Sequence, residues 1–97
     1  MINIPIEIQN TIIDFINFKP KTKEELKKAI NLWYKNKSKA LNKYGDISLW
    51  DTSLIEDMSK LFCDCKYFNG NISKWDVSNV KNMQSMFHNC INFNQSL

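Results

Sequence analysis

Arginine is absent from this 97-residue chain, in which all thirteen basic residues are lysine. Arginine is the side chain that reads phosphates and base edges bidentately, so its absence argues against sequence-specific nucleic-acid recognition. Glycine is scarce as well: Gly45 and Gly70 stand alone, and no glycine-rich loop exists to cradle a phosphate. The single histidine, His88, leaves little room for general acid–base chemistry. No serine or cysteine has a recognisable base and orienting group near it in sequence. Neighbouring acids such as Glu24-Glu25 and Glu56-Asp57 diverge by about 100° on a helix. Together these absences exclude the common catalytic arrangements and imply no cofactor. No apolar run approaches the roughly 18 residues that a bilayer demands. The start, Met1-Ile2-Asn3-Ile4-Pro5, also lacks a basic stretch followed by an apolar one. The chain therefore reads as soluble and intracellular, with association at a cell surface or virion left open. Its three cysteines are odd in number and, without secretion, read as reduced thiols.

What is present is an apolar, aromatic-rich small domain. Hydrophobic residues make up 43% of the chain, with three Trp, six Phe and three Tyr, which suits a folded core and argues against disorder. Net charge is +3, and the basic excess lies wholly within residues 1–46. The high Lys, Asn and Ile content has the look of an AT-rich genome.

A short helix is expected over residues 4–17, started by Pro5 and striped by Ile8, Ile12, Phe15 and Ile16. Pro20 ends it. A second, amphipathic helix is expected over 22–44. Thr22 with Glu25 three residues on forms a capping box, and Gly45 sits where a helix C-terminus wants a left-handed residue. Its apolar stripe runs Leu26, Ala29, Ile30, Trp33, Lys37, Ala40, Leu41, Tyr44, and the opposite face, with Lys23, Lys27, Lys28, Lys35, Lys39 and Lys43, reads as solvated.

The remaining half of the chain is two copies of a 25-residue unit, 47–71 and 72–96, identical at ten aligned positions. Each reads Ile-Ser-x-Trp-Asp-[Thr/Val]-Ser-x-[Ile/Val]-x-[Asp/Asn]-Met-x-x-[Leu/Met]-Phe-x-x-Cys-x-x-Phe-Asn. A period of this length marks supersecondary units that bury their apolar faces on one another. Asp51 to Ser53 and Asp76 to Ser78 suit tight turns, Ile55 and Val80 a short strand, and Met58-x-x-Leu61-Phe62 and Met83-x-x-Met86-Phe87 a turn or two of helix. The expected core is Trp50, Met58, Phe62, Cys65, Phe68, Trp75, Met83, Phe87, Cys90 and Phe93. Trp50 and Trp75 read as a stacked ladder and not as a ligand platform.

Leu97 aligns with Ile47 and Ile72 and opens a third unit, so Asn92, Phe93, Asn94 and Leu97 form an uncapped end and a candidate partner-binding region. Cys63, Cys65, His88 and Cys90 are zinc-ligand types at equivalent places in the two units. Their spacing matches no standard finger, so no metal site is expected. Cys65 and Cys90 read as small apolar residues turned inward, with Cys63 and His88 outside.

This 25-residue pattern resembles the repeats of BspA-like leucine-rich-repeat surface proteins, and the segment from Phe18 through Ile47-Ser48 resembles the lead-in before such arrays. The resemblance implies an α+β fold, with residues 1–46 as a helical cap on a leucine-rich-repeat-like solenoid of two turns over 47–97. It also implies a non-enzymatic protein-binding module whose partner is another protein. Ile4-Pro5-Ile6-Glu7-Ile8 through Ile16 is similar to the opening of an F-box. That likeness implies the alternative of an adaptor that recruits a ubiquitin ligase through residues 4–16. A third reading is an assembly protein that self-associates through its uncapped end.

Overall fold

A computed structural model describes residues 17–93 of the chain. The short helix expected over 4–17, and with it the F-box-like stretch, lies outside the described residues except for Asn17.

Helix α1 spans Lys23–Lys35, and its start follows from local chemistry. The Thr22 hydroxyl accepts from the Glu25 backbone N–H at 3.2 Å, while the Glu25 carboxylate reaches back to the Lys21 N–H at 3.3 Å, one residue beyond the usual capping-box partner. Leu26, Ala29, Ile30 and Trp33 form its buried face. The single helix expected over 22–44 is broken at Asn36, whose backbone turns to φ −151° and ψ 85°. Asn36 serves both sides of the break. Its N–H donates to the Leu32 carbonyl at 2.7 Å, and its side-chain oxygen accepts from the Lys39 N–H at 3.1 Å. Helix α2, Lys37–Tyr44, then runs to Gly45, which takes φ 76° and closes the end by donating to the Leu41 carbonyl. Because the break rotates α2, only Ala40 of its stripe is fully buried, and Leu41 stays 40% exposed.

Beyond Gly45 the backbone is a chain of turns. A 3₁₀ turn at Ile47–Leu49 opens it. The expected α+β class, with its leucine-rich-repeat-like solenoid and a strand in each unit, does not form: the described residues contain two α-helices and this 3₁₀ turn, and no strand. The one sheet-like contact among the described residues is an isolated parallel bridge between Asp57 and Asn82. Two physical causes remove the strands. Ile55 and Val80, expected in strands, spend their N–H groups locally on Thr52 and Val77, each at 3.0 Å. Lys60 and Asp64, like Ser85 and Asn89, adopt positive φ of 57–64°, which interrupts any extended run, and helix as well, every four residues.

Short polar side chains hold these turns. Asp46, Asp51 and Asp57 each accept from the backbone N–H two residues on (Ser48, Ser53 and Ser59) at 2.8–3.0 Å. Asn71, Asp76 and Asn82 repeat the arrangement 25 residues later. The carboxylate is the better acceptor, and each acid's pKa falls below its ordinary value of 3.8 accordingly. The causes are the Ser48 backbone bond at Asp46, the Ser53 hydroxyl at Asp51, the Ser59 backbone bond at Asp57 and the Ser78 hydroxyl at Asp76. A group whose folded pKa is depressed contributes stability that is complete above its unfolded pKa and lost as pH falls through the folded one. The denaturation midpoint is therefore expected to be level from neutral pH to about 5 and to fall below about 4. A midpoint that holds or rises on acidification, measured by urea melts across that range, contradicts this assignment.

The two units meet along aromatic ladders that join equivalent positions. Phe62 and Phe87 lie 5.3 Å apart at 5°, Phe68 and Phe93 5.9 Å at 7°, and Trp50 and Trp75 6.3 Å at 22°. Trp50 also joins the helical segment to the units: Phe18, Trp33 and Tyr44 all pack edge-on against it within 6 Å. One buried cluster consequently runs from Leu26 of α1 to Met86 of the second unit.

Candidate functional site

The seam between the units has a polarity that side-chain patterning does not reveal. Along it, the N–H groups of Met58, Lys60, Phe62 and Asp64 donate to the carbonyls of Asn82, Gln84, Met86 and His88 at 2.8–3.0 Å. Two bonds run the other way at the margins, from Lys81 to Glu56 and from Asn92 to Lys66. Side chains tie the same seam. The Trp75 indole N–H donates to the Ile47 carbonyl at 2.8 Å, the buried Thr52 hydroxyl to the Asp76 carbonyl at 3.0 Å, and the Cys90 thiol to the Phe62 carbonyl.

Each unit thus has a donor edge and an acceptor edge. The acceptor edge of the first unit is covered by α1. Lys27 Nζ donates to the carbonyls of Lys60 and Leu61 at 3.1 and 3.4 Å, and Lys23 Nζ donates to Ser59 Oγ at 2.8 Å and lies 3.5 Å from Asp57. Two lysines expected on a solvated face are therefore half-buried donors that tie α1 to the outer edge of the first unit. The signal was present in the sequence: both flank Leu26 on the buried stripe of α1.

The donor edge of the second unit stands open. The N–H groups of Met83, Ser85, Phe87 and Asn89, equivalent to the four that bridge the seam, have no partner among the described residues. Beside them lies an apolar depression of about 210 Å³ lined by Ile72, Ser73, Trp75, Val77, Met83 and Met86. Met83 and Val77 are 44% and 41% exposed there, although Met58, the equivalent of Met83, is fully buried. Met83 thus stands apart from the rest of the expected core. Trp50, Met58, Phe62, Cys65, Phe68 and Trp75 are buried, and Phe87, Cys90 and Phe93 are partly buried and packed against them. Of the candidate partner-binding residues, Asn92 is exposed and Phe93 half-buried; Asn94 and Leu97 lie outside the described residues. Ile72, Trp75, Val77 and Met86, which surround the depression, were not in that candidate set.

All three cysteines are free; burial raises the Cys65 and Cys90 pKa values above the ordinary thiol value, keeping both protonated at neutral pH. Among the described residues no three His, Cys, Asp or Glu side chains gather where they would hold a metal, so Cys63, Cys65, His88 and Cys90 are not brought into such a cluster. A groove of about 560 Å³ runs between Trp33, Tyr34 and Lys37 of the helices and the Tyr67–Asn71 turn. Its one carboxylate, Asp46, is already bound to the N–H and hydroxyl of Ser48.

The family model described as "Mycoplasma protein of unknown function, DUF285" matches residues 22–97. The chain belongs to this family. The match begins at Thr22, the N-cap of α1, so the lysine-bearing helix and both units fall inside the DUF285 region. Neither the curated proteins nor the solved structures give a match. In this DUF285 chain no helix among the described residues is long and apolar enough to cross a membrane.

Proposed function

We propose that this DUF285 chain is a non-enzymatic protein-interaction module that binds another protein through the face formed by Ile72, Trp75, Val77, Met83 and Met86. One observation carries the reading: Met58 and Thr52 of the first unit are fully buried, whereas their equivalents Met83 and Val77 are 44% and 41% exposed beside the buried Ile72, Trp75 and Met86. An apolar depression rimmed by polar side chains is the usual form of a binding surface. The likeness of the 25-residue pattern to BspA-like surface proteins, whose bacterial members are associated with adhesion and binding, supports the same class. Recognition in this reading is by surface complementarity, with no bond made or broken.

Met83→Asp tests it. The side chain is exposed, so the substitution is expected to change stability by no more than about 0.5 kcal/mol while placing a charge in the apolar depression. In quantitative affinity capture from the native host, the variant is expected to lose at least tenfold of the specifically captured protein. Leu54→Asp, on an exposed position of the first unit outside the depression, is expected to lose none. Equal capture by both variants and the parent rejects the face.

A further inference from the structure

The seam specifies what the open edge accepts. Between the units, a row of backbone donors at alternate residues meets a row of backbone carbonyls, while an indole N–H drops onto the carbonyl of the leading isoleucine. The second unit repeats every element of the donating side. Its N–H groups at Met83, Ser85, Phe87 and Asn89 continue the row, Lys81 and Ile91 supply the flanking carbonyls in place of Glu56 and Lys66, and the Ile72 carbonyl corresponds to that of Ile47. Ser85 and Asn89 are exposed and share the left-handed backbone of Lys60 and Asp64, so the edge already has the conformation that bonds across the seam.

Charge and polarity exclude a second copy as the occupant. Two identical edges apposed about Met86 set Met83 against Asn89 and Ser85 against Phe87, donor facing donor, with the carbonyls of Lys81 and Ile91 facing each other. On a second copy, helix α1 lies along the complementary carbonyl edge, with Lys27 Nζ on the Leu61 carbonyl and Lys23 Nζ on the Ser59 hydroxyl. A buried amide N–H without an acceptor costs about 1–3 kcal/mol, so neither arrangement is stable.

We propose that the donor edge at Met83, Ser85, Phe87 and Asn89 binds an acceptor segment of a different protein. This segment adds in register, presenting backbone carbonyls at alternate residues and setting a large aromatic side chain into the depression between Trp75 and Met83. The proposal rests on the interaction reading above and gives it a register and a partner chemistry: a polypeptide backbone that accepts, with an aromatic anchor that donates to the Ile72 carbonyl. Addition of a chain segment to an open hydrogen-bonding edge is a general recognition mode in which backbone bonds give affinity and pockets give specificity.

The probe is a synthetic peptide with the sequence of residues 72–93, the segment that covers the equivalent edge of the first unit. Amide hydrogen exchange is followed by NMR on the full chain. In the protein alone, the amides of Met58, Lys60, Phe62 and Asp64 are expected to exchange slowly and those of Met83, Ser85, Phe87 and Asn89 at least tenfold faster. With saturating peptide, the second set is expected to slow at least tenfold. The same peptide carrying W75A is expected to bind at least tenfold more weakly, and a scrambled peptide not at all.

Several results overturn the proposal: no binding tighter than about 1 mM; equal protection by the scrambled peptide; protection of the four amides in the protein alone; or a dimer in sedimentation. Binding that perturbs Val77 and Met83 without protecting the four amides also rejects the register, while leaving the apolar face as a binding surface. Failure of the interaction reading itself shows separately, as unchanged capture by Met83→Asp.

Discussion

Phe62→Ala is expected to destabilise the protein by about 3–5 kcal/mol, the range for truncating a fully buried aromatic residue. Phe62 is wholly inaccessible, and three rings surround it: Phe68 at 4.4 Å, Phe87 at 5.3 Å and Trp75 at 5.8 Å. Its backbone is equally committed, donating to Met86 across the seam and accepting the Cys90 thiol. Truncation leaves a cavity bordered by rings that belong to both units, so neither can collapse into it without parting from the other. Domains of this size have total stabilities of about 5–15 kcal/mol, which makes the loss a large fraction of the whole. Urea denaturation monitored by circular dichroism measures it directly. A loss below about 1 kcal/mol would show that the ladder is not the principal contact between the units.

Trp75→Ala is expected to rank beside it, at about 3–5 kcal/mol, and Trp75→Phe separates the two contributions of this residue. The indole is 7% exposed, lies 6.3 Å from Trp50, and donates to the Ile47 carbonyl at 2.8 Å. Phenylalanine keeps much of the ring contact and removes the donor. The Ile47 carbonyl then retains the Trp50 N–H at 3.3 Å, so it is not orphaned, and the cost is expected to fall to about 1–2 kcal/mol. Equal losses for the two variants would mean that the hydrogen bond, and not the packed area, dominates. A fully stable Trp75→Ala would remove the account of the Trp50–Trp75 pair as part of the core.

Much of the local structure was legible because its causes are local. The Thr22 cap depends on residues three apart, the Gly45 terminus on a single φ, and the turns at Asp51 and Asp76 on a side chain reaching its own backbone two residues on. The ladder positions followed from the 25-residue spacing of aromatic residues. The break at Asn36 was missed because the apolar pattern carries straight through it, while the asparagine side chain offers the backbone a competing bond. The strands and the α+β solenoid were misjudged for a related reason. β-branched residues at Ile55 and Val80 fit an extended backbone, but their N–H groups turn back onto Thr52 and Val77, and positive φ at Lys60 and Asp64, repeated at Ser85 and Asn89, breaks the extended run in a way that side-chain propensity does not encode.

The candidate site shows the limit most clearly. By itself the amino-acid sequence determined that residues 47–71 and 72–96 are matched units, that a capped helix precedes them, and which side chains recur at equivalent places. It assigned Met58 and Met83 the same role because they are the same residue in the same context. Only the tertiary structure separates them, one fully buried and the other 44% exposed, because burial belongs to a residue together with its neighbour, and the neighbour that covers Met58 has no counterpart over Met83 among the described residues. The direction of the seam's hydrogen bonds is likewise invisible in side-chain letters, since every non-proline residue carries both a donor and an acceptor. Which of the two faces outward is fixed by three-dimensional backbone geometry, and that geometry leaves an edge of donors beside Met83 and lays α1 along the opposite edge, where Lys27 reaches the Leu61 carbonyl and Lys23 the Ser59 hydroxyl.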